Sequence, residues 1–98
     1  MHYKEVRIEI CEQHDLRLEA IGITNAGKRD RLWQIAGYDR HATLAKQLRR
    51  AVFEAKDILQ GKDPGVSTNR VVVVVLDRAR HGRRIEHVFE NKIVVKDR

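Results

Sequence analysis

The segment Arg70 to Leu76, RVVVVVL, constrains this chain more than any other feature, because five consecutive valines are apolar on both faces of an extended strand. Successive side chains of a strand point to opposite sides, so Val71, Val73 and Val75 face one way and Val72 and Val74 the other. β-Branched residues fit pleated surfaces, and a strand apolar on both faces suits the interior of a sheet covered from both sides. The rest of the chain must therefore supply neighbouring strands and something to lie above and below them.

The first of those neighbours is legible at the start of the chain. From His2 to Glu12, Val6, Ile8 and Ile10 alternate with Glu5, Arg7 and Glu9, the period of a half-buried strand. Gln13, His14 and Asp15 interrupt it. Leu16 to Ile23 then alternates again, which predicts an antiparallel hairpin. Asn25, Ala26, Gly27 and Lys28 carry the residues that tolerate tight hairpin turns. A third strand is expected from Arg31 to Tyr38, with Leu32 or Trp33 and then Ile35 facing the core. Because Leu32 and Trp33 are adjacent, alternation leaves that register open.

From Asp39 the period changes to that of a helix. Leu44, Leu48, Ala51, Val52, Ala55, Ile58 and Leu59 fall on one stripe, Asp39 or Thr43 can serve as N-cap, and Gly61 followed by Pro64 marks the end. Burying such side chains at roughly 1.5 to 3 kcal/mol each drives the helix onto a sheet. Gly61 to Asn69 reads as a loop. Ile85 to Glu90 and Lys92 to Val95 predict one further strand or two, broken near Asn91. The expected fold is α+β: an antiparallel sheet of four to six strands in the order β-β-(β)-α-β-β, with one long amphipathic helix packed on one face. Residues 1–98 are expected to form a single domain, a size that supports one modest core. One helix covers one face only, so a second copy of the chain is the expected cover for the other, which makes a homodimer.

Composition narrows the setting. The first residues, MHYKEVRIEIC, carry charges where a signal peptide needs an apolar stretch, and the longest apolar run is too short to span a bilayer. Cys11, the single cysteine, cannot form an internal disulfide and fits a reducing compartment. A cytoplasmic protein without a membrane partner is the expectation.

The formal net charge is +6, and its excess is concentrated in DRARHGRR, Asp77 to Arg84, where Arg78, Arg80, Arg83 and Arg84 surround His81 and Gly82. Arginine presents a planar, permanently charged fork that matches phosphate oxygens, so a basic turn between two strands points to a nucleic-acid backbone. The helix adds Lys46, Arg49, Arg50 and Phe53 on its polar side, and the hairpin turn adds Lys28 beside Arg29 and Arg31. The predicted phosphate-binding set is Arg78, Arg80, Arg83, Arg84, Arg49, Arg50 and Lys28, contacting DNA or RNA. The competing explanation is a solvated hairpin tip whose charges protect an adhesive valine strand from aggregation.

Material for catalysis is thin. The chain contains no G-x-S-x-G, no P-loop, no G-x-G-x-x-G and no H-E-x-x-H. Its one serine is Ser67, and Cys11 has acidic neighbours, which do not activate a thiol. His81 among arginines could act as a base beside a phosphodiester, with Arg83 or Arg84 stabilising the transition state, the pattern of a small metal-independent ribonuclease. No ligand spacing suggests a metal, and no cofactor is expected. The leading expectation is a small basic nucleic-acid-binding module. A non-enzymatic interaction or accessory protein whose sheet mediates homodimerisation is the alternative, and the ribonuclease stands third.

Overall fold

The structure, a computed structural model, describes residues 1–11, 17–36, 43–77 and 82–90. Asp39, His14, His41, Arg78, Arg80, His81 and the strand expected from Lys92 to Val95 lie outside them. The described elements are β1 (His2–Tyr3), β2 (Glu5–Cys11), β3 (Arg17–Ile23), β4 (Arg29–Ala36), α1 (Leu44–Leu59), β5 (Ser67–Thr68), β6 (Arg70–Asp77) and β7 (Gly82–Glu90). The protein is α+β, and its described residues form one helix and a five-stranded sheet in the order β4-β3-β2-β6-β7. The short β1 and β5 pair in parallel as a separate ladder.

β2, β3 and β4 form an antiparallel meander, and β6 and β7 form an antiparallel hairpin. The join between them departs from the expected all-antiparallel sheet, because β6 runs parallel to β2. The helix is the cause: a crossover returns the chain to the end of the sheet where β4 began, so the next strand runs parallel to β4 and hence to β2. The valine strand β6 thereby lies between β2 and β7, and its five valines are each at most 2% exposed.

One core fills the space between this sheet and α1. Val6, Ile8, Ile10, Leu18, Ala20, Val71, Val73 and Val75 come from the strands, and Ala51, Ala55 and Ile58 from the helix. Thr43 is the N-cap, its hydroxyl accepting from the Lys46 backbone N–H at 3.2 Å. At the other end Gly61 adopts φ 71°, and the Gly61 and Lys62 N–H groups return to the carbonyls of Ile58 and Asp57, both at 3.1 Å. This paired closure satisfies carbonyls that the last turn would leave without partners.

The register of β4, open in the sequence, is set by two irregularities. Ala20 pairs with Trp33 and Ile21 with Arg31, so Leu32 is an extra residue; Leu18 pairs with Ala36 and Glu19 with Gln34, so Ile35 is another. Each insertion restarts the alternation, and Leu32, Trp33 and Ile35 all pack against the core. At the start of the chain the single expected strand is split at Lys4. Tyr3, 5% exposed, turns over the sheet and its hydroxyl donates to Asp30 Oδ2 at 3.3 Å.

Candidate nucleic-acid interface

Strand directions divide the sheet into two ends. The start of β2 and β6, the end of β7, the β3–β4 turn and the C-terminus of α1 share one end; the end of β2 and β6, the start of β7 and the N-terminus of α1 share the other. Lys28 lies exposed in the β3–β4 turn, at the first end and on the edge formed by β4. Arg83 and Arg84 open β7, at the opposite end and on the opposite edge. Lys28 is therefore separated from them along the diagonal of the sheet and does not join them in one patch.

Arg83 and Arg84 were expected in a turn but belong to a strand. Arg83 pairs with Leu76 and Arg84 with Val75, so their side chains leave opposite faces, with Arg84 on the side of the helix. Arg84 is ion-paired with Glu86. Arg83 is exposed and has no carboxylate within ion-pair distance among the described residues.

Arg49 and Arg50 lie in the first half of α1, at the same end of the molecule as Arg83, and both are exposed. Their directions differ. Arg50 shares one flank of the helix with Glu54, whereas Arg49 lies on the side opposite the buried Ala51, Ala55 and Ile58 and points to solvent. Neither has an acidic partner among the described residues.

Arg7, Arg29, Arg31 and Arg70 of the sheet are tied to glutamates. Glu5 accepts from Arg7 Nε at 2.7 Å and from Arg70 Nε at 2.8 Å, Arg29 reaches Glu9 at 2.6 Å, Arg31 reaches Glu19 at 3.5 Å, and Arg70 also meets Glu90. Burial alone would raise the Glu5 carboxyl, but the hydrogen bonds from Arg7 and Arg70 outweigh it and hold its pKa below the ordinary value. These pairs lie on the sheet face away from the helix, where Arg7 stands directly beside Val72 and Glu9 beside Val74. Long side chains shield apolar neighbours with their aliphatic stems, and such shielding accords with Val72 and Val74 being 2% exposed in a single chain. Alternation in the sequence showed that charges face this side, but not that they pair with one another.

Two further groupings bring polar side chains together. His2 Nδ1 lies 2.9 Å from Ser67 Oγ, a contact that follows from their being cross-strand partners in the β1–β5 ladder; both are exposed. Glu54 has a raised pKa, first from burial and then from the nearby Asp63 and Asp57 carboxylates, with Trp33 opposing. A carboxyl raised in the fold costs stability when it is ionised, and that cost vanishes once the pH falls below its unfolded value. Glu54→Gln is accordingly expected to stabilise the protein at pH 7 by about 0.5 kcal/mol or less after solvent screening. Thermal unfolding at pH 7 and again well below the ordinary value of 4.5 should show the gain at the first and not at the second.

Among the described residues no group of three or more His, Cys, Asp and Glu side chains is placed to hold a metal ion, and no helix is long and apolar enough to cross a membrane. The chain matches no protein-family model, no curated protein and no solved structure.

Proposed function

We propose that the protein is a small basic binding module that contacts nucleic-acid phosphates at the end of the sheet where β7 begins and α1 begins. The observation that carries this reading is the contrast in charge pairing. Arg7, Arg29, Arg31 and Arg70 are each held by a glutamate, whereas Arg83, Arg49 and Arg50 have no acidic partner among the described residues and share one end. Guanidinium groups without a carboxylate keep their hydrogen-bonding forks available for phosphate. Arg78 and Arg80 immediately precede this end in the sequence and extend the same set, whereas Arg84 is held by Glu86. Lys28, at the far corner, is not part of the contact.

Labelled single-stranded RNA, single-stranded DNA and duplex DNA, titrated with protein at low salt and read by fluorescence anisotropy, test the location. Arg49→Glu, Arg50→Glu, Arg83→Glu in one chain should abolish binding, and Lys28→Glu should leave affinity within about twofold. Equal losses in both variants would mean that net charge alone attracts the nucleic acid.

A second reading has its own observation. Among the described residues β7 is an edge strand, and its Ile85 and Val88 are 62% and 46% exposed, an apolar pair that suits a protein contact.

A further inference from the structure

Among the described residues the outer side of β7 has no strand beside it. An exposed edge of this length, Gly82–Glu90, with two large apolar side chains is a template for another strand. The question is whose, and the residues along β7 supply an answer.

The register with β6 fixes which face each side chain occupies. Arg83, Ile85, Val88 and Glu90 oppose Leu76, Val74, Val72 and Arg70, and so leave the face away from the helix; Arg84, His87 and Phe89 oppose Val75, Val73 and Val71, and leave the helix side. In a regular strand Arg83 and Glu90, or Ile85 and Val88, would fall on opposite faces because their spacing is odd. The shift between Val73 and Val74 makes Glu86 an extra residue and reverses the alternation, which brings each of those pairs onto one face.

This pattern is self-complementary. Laid antiparallel against a second β7 with the two-fold axis between Glu86 and His87, Arg83 stands opposite Glu90, Arg84 opposite Phe89, Ile85 opposite Val88 and Glu86 opposite His87, and each pair occurs twice. At both outer ends Arg83 stands opposite a Glu90 whose carboxylate is already held by Arg70 of its own chain, so the arginine stays available for phosphate; a guanidinium meets an aromatic ring, and the exposed apolar residues meet each other next to the axis. A slip of one residue would set side chains of opposite faces against each other, so the bulge selects the register.

We propose that β7 pairs with β7 of a second copy of this chain in that register, joining two five-stranded sheets into one. The earlier ground for a dimer, a valine strand in need of cover, is replaced: Val72 and Val74 are already withdrawn from solvent in one chain, and the exposed apolar surface lies at the edge, on Ile85 and Val88. The pairing would also carry the basic ends of two β7 strands outward in opposite directions from the axis.

Sedimentation velocity of the full chain without nucleic acid tests this, so the result is independent of phosphate binding. The wild type should sediment as a dimer at micromolar concentration. Ile85→Glu places a charge against Val88 of the other copy and should weaken dimerisation by about a hundredfold or more. Adding Val88→Arg to that variant sets a guanidinium opposite the introduced carboxylate, twice across the axis, and should restore the dimer. Both positions are exposed, and circular dichroism should be unchanged. A wild type that is monomeric throughout, a dimer that Ile85→Glu leaves intact, or a double variant that stays monomeric would each overturn the proposed pairing.

Discussion

Ile8→Ala is expected to lower the unfolding free energy by about 3 kcal/mol, within the range of about 2 to 5 kcal/mol that such truncations of buried aliphatic residues cost. Ile8 lies on β2, the middle strand of the sheet, paired with Ala20 on β3 and Val73 on β6, and it is 0% exposed. Its core includes Ala20, Ala51 and Ala55, side chains too short to reach into the space left behind. The lost transfer free energy is then compounded by a cavity that cannot collapse. Urea unfolding should show a lower midpoint at an unchanged slope, the sign of lost stability without altered compactness. A loss below about 0.5 kcal/mol, the scale of a surface substitution, would remove Ile8 from the core.

Gly22→Ala is the second large effect. Gly22 pairs with Val6, and a Cβ built on it would lie 2.6, 2.7 and 2.8 Å from Cε1, Cδ1 and Cζ of Tyr3. The ring is not a free side-chain end that can swing aside: Tyr3 is 5% exposed, its hydroxyl bonds Asp30, and its backbone pairs with Thr68. Accommodating the methyl means displacing the ring, at about 1 to 3 kcal/mol for overpacking of this kind. Tyr3→Leu removes the crowded atoms, so a double-mutant cycle should give a coupling of about 1 kcal/mol or more, with the second substitution costing less in the Gly22→Ala background. Additive losses would mean that the crowding is relieved elsewhere.

The sequence carried the elements more clearly than their arrangement. Alternation at Val6, Ile8 and Ile10 and the apolar stripe from Leu44 to Leu59 mark β2 and α1 because each repeats over several residues against one core. The parallel pairing of β2 with β6 is a relation between distant segments, and no local period encodes it. Bulges break the period itself. The adjacent Leu32 and Trp33 of β4 left the register undecided, and the extension of β7 back to Gly82 was hidden because Arg83 and Arg84 read as turn chemistry.

The site was partly legible for the same reason. Composition identified arginine as the chemically informative residue, but whether an arginine is committed depends on which glutamate lies across the sheet. Arg70 and Glu5 are 65 residues apart in sequence, and strand pairing alone brings them together. Lys28 looked equivalent to Arg49 and Arg83 in the sequence, and the strand order puts it at the opposite corner.

The most direct test of phosphate contact is the salt dependence of binding to duplex DNA by the wild-type chain. Three arginine contacts from Arg49, Arg50 and Arg83 predict a slope of about −2.7 in the logarithm of affinity against that of salt, roughly a fortyfold loss between 50 and 200 mM, and further contacts from Arg78 or Arg80 steepen it. Affinity that falls in this way would support a backbone-binding module. No binding at 50 mM salt, or binding that salt leaves unchanged, would contradict it and leave these arginines as surface charge.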